Sequence, residues 1–166
     1  GEKPEFIDPF NGLQDLAARV LRTPVRAGDS FNDDPLRMMR AARFASQLDF
    51  QIAPEVLASM TDLAHRISII SAERVRDEFI KIIMSPNPRI GITLLVDTGL
   101  ADIVLPEIPK LRLEVDEHHH HKDVYEHSIT VLEQAIELED RLGGPNLVIR
   151  IAALLHDIGK PKTRAF

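Results

Sequence analysis

The chain has 166 residues, of which 44% are hydrophobic, so it is long enough to bury one compact core or two small ones. It has no apolar run near the roughly 18 residues that a membrane span needs, and no signal-peptide pattern. It also has no cysteine, which excludes disulfides and thiolate chemistry and favours the reducing cytoplasm. Its net charge of −6 argues against a protein that binds nucleic acid over its whole surface. Within the first 110 residues, only residues 20–43, with five arginines and three aspartates, would attract a polyanion.

Both ends of the sequence predict continuation into further structure. Residues 4–10 form a short apolar stretch followed by Asn11-Gly12, which is typical of a last strand and its turn. Residues 160–166 follow a helical pattern directly and supply nothing that would complete a domain. We therefore expect a piece of a longer protein.

The rest of the chain shows helical periodicity and helix-boundary signals. Capping acids, prolines at helix starts and a stop at Gly99 predict helices near residues 35–48, 54–67, 71–83, 88–98, 122–141 and 146–157. Their apolar faces contain Met38, Ala41, Ala42, Ala45 and Leu48; Val56, Leu57, Met60, Leu63 and Ala64; and Ala72, Val75, Phe79, Ile82 and Ile83. No alternating strand pattern follows residue 10. The sequence predicts an all-α protein with a boundary near residues 107–117 and a separate core on each side of it.

Asp34 and Arg37 form the first candidate site. They are spaced i, i+3 at a helix start, so the two side chains could act as one hydrogen-bonding edge. A carboxylate only accepts and a guanidinium only donates. This pair suits cytosine and adenine, which show an exocyclic amine beside an unprotonated ring nitrogen, and it suits neither uracil nor guanine. The same spacing also fits an ordinary helix cap followed by a solvent-exposed ion pair.

Arg40 and Arg43 continue the same flank of that helix. Successive spacings of three residues spread the guanidinium groups over about 120° of the helix surface. Arginines arranged in this way suit the oxygens of a triphosphate. The alternative is that they only pair with neighbouring acids.

Three further residues form a candidate metal site. His127 lies on the first of the two long C-terminal helices, and His156-Asp157 ends the second. Imidazole and carboxylate groups are common ligands of divalent transition ions, although a His-Asp dipeptide alone is a weak signal. Residues 118–121 are four consecutive histidines, which could capture adventitious metal.

Several of these segments together resemble the class II tRNA nucleotidyltransferase/poly(A) polymerase family. The resemblance is carried by residues 7–16, by residues 20–22, by the Asp-Asp-Pro-Leu-Arg segment at 33–37, and by Ser-Ala-Glu-Arg-Val-Arg-Asp-Glu-Phe at 71–79. It covers nearly the whole chain in the family's order. The His127, His156-Asp157 spacing is similar to the HD superfamily of metal-dependent phosphohydrolases, whose last ligand, an aspartate, would lie beyond Phe166.

The resemblance implies an organisation and a set of roles. Residues 1–12 would be the tail of a catalytic head domain, 13–110 a helical neck and body, and 111–166 the start of a truncated HD domain. It implies that Asp34 and Arg37 read the base of CTP or ATP, that Arg40 and Arg43 help bind the nucleotide, and that residues 71–79 brace the Asp34 helix.

The resemblance also implies the partners and cofactors. The RNA 3′ end, most often that of tRNA, would be the acceptor; the Mg²⁺ ions would be bound in the head, and a divalent transition metal in the HD domain. The chain alone would then not transfer nucleotides. One alternative is an HD phosphohydrolase with a helical extension, which leaves the match around Asp34 unexplained; another is a non-catalytic RNA-binding helical module.

Overall fold

Helices account for most of the described chain, which in the computed structural model comprises residues 7–113, 115–116 and 122–159. The predicted all-α class is confirmed. The α-helices in these residues are α1 Gly12–Ala18, α2 Ala27–Asp33, α3 Leu36–Leu48, α4 Pro54–Leu63, α5 Ala72–Ile83, α6 Pro88–Asp97, α7 Ala101–Val104, α8 Glu107–Lys110, α9 Val124–Glu137 and α10 Leu147–Leu155. None of them combines the length and the apolar character that crossing a membrane requires.

In the part of the chain that the structure describes, three short 3₁₀ segments follow the ends of α-helices. Ala64–Ile69 extends α4, so the helix predicted over residues 54–67 changes to the tighter form after Leu63. Leu111–Leu113 follows α8. Glu139–Leu142 follows α9 and ends at Gly143, whose φ of 91° reverses the chain into α10.

In the described residues, two pairs of two-residue strands lie between helices, although the sequence shows no alternating strand pattern after residue 10. β1 (Val20–Leu21) pairs in parallel with β2 (Gln51–Ile52). β3 (Val115–Asp116) pairs in antiparallel orientation with β4 (Lys122–Asp123). Strands of two residues are too short to show the alternation from which strands are predicted. The β1–β2 pair joins the segment before α2 to the segment before α4.

The strand expected within residues 4–10 falls largely outside the described residues, and residues 9–10 form a turn. The Asp8 carboxylate accepts hydrogen bonds from the backbone N–H groups of Leu13, at 2.9 Å, and Gly12, at 2.7 Å. These two bonds lower the pKa of Asp8. They also satisfy two N–H groups in the first turn of α1, which have no partner within the helix.

The core is organised around α3, which contacts α5 on one side and α6 on another. Met38 of α3 is completely buried. At the α3–α6 contact, a Cβ atom at Gly91 would overlap the Ser46 hydroxyl and the Ile82 side chain. Glycine at this position therefore lets the two helices approach closely.

Most side chains of the predicted apolar faces are buried or half-buried, with two exceptions. Leu48 is half exposed because α3 ends there and Asp49, with a φ of 56°, turns the chain away. Ala72, the first residue of α5, is exposed. Both lie at helix ends, where a periodic pattern continues beyond the packed surface.

The last two helices pack on this same core. Tyr125, Ile129 and Leu132 of α9 and Leu154 of α10 belong to one buried apolar cluster with the side chains of α2–α8. The expectation of separate cores on the two sides of residues 107–117 was therefore wrong for the described residues. The sequence could not show this, because a helix of either domain presents the same apolar stripe whatever partner covers it.

Polar contacts reinforce the junction between α6 and α9. Arg89 of α6 donates to both carboxylate oxygens of Glu133, at 2.7 and 2.8 Å, and to Glu126 at 2.8 Å. The Tyr125 hydroxyl lies 3.2 Å from the hydroxyl of Thr93, and the Arg112 guanidinium stacks 4.6 Å above the Tyr125 ring. Burial raises the pKa of Tyr125.

Candidate nucleotide-binding surface and metal cluster

Asp34 lies in the turn between α2 and α3 and is fixed by contacts to two elements. Its Oδ1 accepts a hydrogen bond from the backbone N–H of Leu36 at 3.2 Å, which caps the start of α3. Its Oδ2 lies 3.3 Å from Nη2 of Arg74 on α5. Because a carboxylate offers about four lone-pair positions, these two bonds leave acceptor capacity on Asp34.

Arg37 lies in the first turn of α3, and its side chain is held by Ser30 of α2. Its Nη1 donates to the backbone oxygen of Ser30, at 3.1 Å, and to the Ser30 hydroxyl, at 3.0 Å. It also lies 4.0 Å from the carboxylate of the exposed Asp33. The side chains of Asp34 and Arg37 therefore have different partners, whereas the backbone N–H of Arg37 donates to the backbone oxygen of Asp34 at 3.0 Å. The Arg37 side chain remains 44% exposed, so its other N–H groups can reach a ligand.

Arg40 and Arg43 share one buried acid on α5 but differ in how tightly they contact it. Arg43 is 15% exposed and its Nη1 lies 3.0 Å from Oε2 of Glu78, which also accepts a hydrogen bond from Lys81. The guanidinium of Arg43 stacks 4.4 Å above the Phe44 ring. Arg40 is 44% exposed, and its Nε is 3.9 Å from Glu78. Arg40 is therefore the more accessible cation.

A groove of about 400 Å³ runs along the exposed side of α3. Its described lining contains three arginines, two phenylalanines and no acidic residue. The lining residues are Leu21, Arg22, Thr23, Pro24, Val25, Ser30, Phe31, Arg37, Arg40, Ala41, Phe44 and Val56. Of the four residues predicted to bind the nucleotide, the groove brings together Arg37 and Arg40, whereas Asp34 and Arg43 lie outside its lining.

The structure brings the three predicted metal ligands together. One ligand atom from each of His127, His156 and Asp157 lies within 4.8 Å of the other two. Oδ2 of Asp157 is 3.2 Å from Nε2 of His156 and 3.9 Å from Nε2 of His127. The two imidazole rings are 5.3 Å apart and inclined at 68°. Two imidazoles and one carboxylate are the donor set that divalent transition metals prefer.

Hydrogen bonding and helix geometry prepare this cluster for a cation. Nδ1 of His156 lies 2.8 Å from the backbone oxygen of Ala153, and because a carbonyl only accepts, Nδ1 must carry the proton. In the neutral ring, Nε2 then has a free lone pair for a metal. His156 directly follows the last residue of α10, where the helix dipole is negative and favours positive charge. The residues therefore fit a divalent metal.

Two family models each match a part of the chain. Residues 49–111 match the family described as the probable RNA- and SrmB-binding site of polymerase A. Residues 124–166 match the HD domain. The first match contains Arg74 and Glu78, and the second contains the metal cluster.

Two curated bacterial relatives cover nearly the whole chain. The A-adding tRNA nucleotidyltransferase of Deinococcus radiodurans is 38% identical over 99% of the chain. The multifunctional CCA protein of Mannheimia succiniciproducens is 36% identical over 96% of it. The chain belongs to the tRNA nucleotidyltransferase/poly(A) polymerase family. It spans 38% and 39% of the length of these two relatives.

Solved tRNA nucleotidyltransferase structures have the same fold over this region. The Bacillus stearothermophilus CCA-adding enzyme in complex with CTP is 30% identical, with a TM-score of 0.61 over 89% of this chain and 37% of that chain. A CCA-adding enzyme with ATP is 25% identical, with a TM-score of 0.64 over 90% of this chain and 33% of that one.

Two residues of α5 outside the predicted site, Arg74 and Glu78, hold side chains of that site in place. The contacts of Arg74 with Asp34 and of Glu78 with Arg43 confirm that α5 braces the start and the middle of α3. Arg74 and Glu78 are spaced i, i+4 and so lie on one face of α5, which the sequence could have indicated. Ser30, the partner of Arg37, had no such signal, because its role depends on how α2 packs beside α3.

Proposed function

We propose that this chain provides the nucleotide-selecting surface of an RNA 3′-end nucleotidyltransferase that uses CTP and ATP and acts on tRNA. The groove along α3 is the observation that carries the proposal. Its lining contains three arginines and no acid, but Arg22 is already paired with Asp15 and Glu55. The partly exposed Arg37 and Arg40, which are only loosely associated with acids, therefore attract a polyphosphate. The apolar walls, which include the exposed Phe44, suit a base or a ribose. Either CCA addition or poly(A) addition is consistent with such a surface.

We assign base selection to Asp34 and Arg37. The carboxylate of Asp34 keeps lone pairs free for an exocyclic amine, and Arg37 keeps N–H groups free for an unprotonated ring nitrogen. Arg74 and Ser30 fix the two side chains before any ligand arrives. A preorganised edge of this kind costs less side-chain entropy when a base binds.

We assign the triphosphate mainly to Arg40, with Arg43 in a supporting role. Arg40 lines the groove and is only loosely associated with Glu78, whereas Arg43 is nearly buried against that acid. The Mg²⁺ ions and the transfer step belong, in this proposal, to the head domain that the family resemblance implies. This chain alone is therefore expected not to incorporate nucleotides into tRNA.

Methionine substitutions at Arg40 and Arg43 test this assignment in an intact tRNA nucleotidyltransferase that carries this chain. Arg40→Met is expected to raise KM for CTP and ATP together by about tenfold, since a charged hydrogen bond contributes about 1.5–3 kcal/mol. Arg43→Met is expected to raise KM less and to lower thermal stability, because it removes a partner of the buried Glu78. Steady-state kinetics with each nucleotide and circular dichroism would measure both effects.

The choice of base should stay unchanged in both variants. An altered base preference, or wild-type KM for both nucleotides in Arg40→Met, would count against a triphosphate role for these arginines. Retained helix content in circular dichroism is the control that separates lost binding from lost folding.

We further propose that His127, His156 and Asp157 bind a divalent transition metal in the HD part of the chain. The bound ion would act as a Lewis acid toward a phosphate group. His156 contributes a lone pair whose direction is fixed through Ala153, and Asp157 contributes negative charge. An HD phosphohydrolase activity is thus the second candidate function, supported by this cluster rather than by the groove.

Cobalt binding tests the metal proposal. With residues 118–121 replaced by serine to remove a competing site, the chain is expected to bind Co²⁺, as measured by isothermal titration calorimetry and visible absorption. The double variant His156→Ala/Asp157→Ala should lose this binding, because two of the three ligands are gone. His65→Ala, which changes an exposed histidine elsewhere, should retain it. Equal binding by the double variant would exclude this cluster as the site.

The same double variant also tests whether the two chemistries are separate. In the intact enzyme, it should abolish any metal-dependent phosphohydrolase activity and leave nucleotide addition largely intact, because neither changed residue lies in the α3 groove. Loss of nucleotide addition with the fold retained would instead show that the metal cluster and the groove depend on each other.

A further inference from the structure

A buried arginine on α10 has no part in the assignments made above. Arg150 is 4% exposed and donates through Nε and Nη2 to the two carboxylate oxygens of Glu139, at 2.7 and 2.6 Å. Its Nη1 donates to the backbone oxygens of Ile83, at 2.8 Å, and Ser85, at 2.9 Å. Glu139 is equally buried and also accepts a hydrogen bond from the backbone N–H of Asn146 at 3.1 Å.

These bonds join three parts of the fold at one guanidinium group. Ile83 is the last residue of α5, so Arg150 supplies donors and positive charge to carbonyl groups at that helix end. Glu139 begins the 3₁₀ segment that connects α9 to α10. The orientation of α10, relative both to α5 and to the end of α9, is therefore fixed by directional bonds in addition to apolar packing.

The metal ligands depend on that orientation. Asp157 follows Arg150 by seven residues, which is two helical turns, and the backbone of the intervening His156 is still helical. The side chain of Asp157 therefore leaves the end of α10 close to the face that carries Arg150. His127 is on the other helix, α9. A rotation or tilt of α10 would therefore change the distances between His127 and the other two ligands.

We propose that Arg150 is a positioning residue for the metal cluster. By tying α10 to the end of α5 and to Glu139, it holds His156 and Asp157 at coordinating distance from His127. This inference rests on the proposed metal site, because it concerns the affinity of that site. Residues that orient metal ligands without touching the ion commonly change affinity about 10- to 100-fold when they are replaced.

Cobalt titration of variants at this pair tests the proposal, with residues 118–121 replaced by serine throughout. Arg150→Met is expected to weaken Co²⁺ binding at least about tenfold and to change the visible absorption spectrum of the bound ion. Arg150→Lys, which keeps the charge but cannot make the same set of bonds, should fall between the wild type and Arg150→Met. Arg150→Met alone could fail to fold, because it leaves Glu139 buried without its partner.

The double variant Arg150→Met/Glu139→Gln addresses that difficulty, since it removes both buried charges. It should fold, as judged by circular dichroism, and still bind Co²⁺ at least about tenfold more weakly than the wild type. Met60→Ala, a destabilising change at a buried residue of α4, is the control and should keep wild-type affinity below its melting temperature.

The outcomes separate this inference from the metal proposal on which it rests. A folded double variant with wild-type affinity and spectrum would overturn the positioning role of Arg150. Equal weakening in Met60→Ala would also overturn it, because the effect would then follow general stability. If the wild-type chain binds Co²⁺ no better than the variant lacking His156 and Asp157, the metal site itself is wrong.

Discussion

Replacing Asp34 or Arg37 with alanine, in an intact tRNA nucleotidyltransferase that carries this chain, is expected to reduce the preference for CTP and ATP over UTP and GTP. Each replacement removes one charged hydrogen-bonding partner, which contributes about 1.5–3 kcal/mol. Discrimination should fall by roughly tenfold to somewhat over a hundredfold. Competition assays with all four nucleotides and a tRNA acceptor would measure the change directly.

Asp33 provides a matched control for this experiment. It precedes Asp34 and carries the same charge. Its side chain, however, is 78% exposed, and its contact with Arg37, at 4.0 Å, is long for an ion pair. Asp33→Ala should therefore leave discrimination unchanged. Wild-type discrimination in a folded Asp34→Ala variant would show that this carboxylate does not read the base. An equal loss in Asp33→Ala would point to the general negative potential of the turn instead.

The Arg150–Glu139 pair is expected to give the largest effect on stability. Removing one member leaves the other charge buried, so Arg150→Met should lower the free energy of unfolding by about 3–5 kcal/mol. Chemical denaturation followed by circular dichroism would measure this loss. Removing both charges, in Arg150→Met/Glu139→Gln, should recover most of it, because neither charge then remains unpaired.

The same pair predicts a dependence of stability on pH. The hydrogen bond from Arg150 lowers the pKa of Glu139 below its ordinary value. A lowered pKa means that the folded state favours the ionised carboxylate. The stabilisation is therefore complete above the unfolded pKa, near ~4.3, and is lost as the pH falls through the lower folded pKa.

Glu139→Gln should therefore lose less stability than the wild type upon acidification below about pH 5. Glu133→Gln is the comparison, since the pKa of Glu133 is also lowered by an arginine, Arg89, but at a partly exposed site. Its effect should be smaller, because water screens the pair. A Glu139→Gln variant that follows the wild-type pH profile would contradict the ion-pair interpretation.

The long helices could be predicted from the sequence, whereas the short elements could not. α3 to α6, α9 and α10 have apolar residues at helical spacing and recognisable boundaries, such as Pro54 and Gly99. α1 and α2 are seven residues each and lack such signals. The parallel pair β1–β2 joins residues about 30 apart through two positions per strand, which only the tertiary packing determines.

The sequence predicted which residues form the candidate site, but not which neighbours their side chains contact. Acid and arginine spacing, together with the family resemblance, selected Asp34 and Arg37. The sequence did not show that each would be held by a different neighbour, Arg74 or Ser30, because those contacts join separate helices. The resemblance also favoured two separate units, whereas α9 and α10 share their buried surface with the body.

That shared surface has a practical consequence for anyone shortening the protein. An expression fragment ending after α8 would end near the limit of the RNA-binding family match. Such a fragment would leave the carbonyl groups of Ile83 and Ser85 without the donors that Arg150 provides. It would also expose the apolar side chains that α9 and α10 cover, and it should aggregate. Fragments intended for crystallisation or spectroscopy of the nucleotide groove should therefore extend through α10.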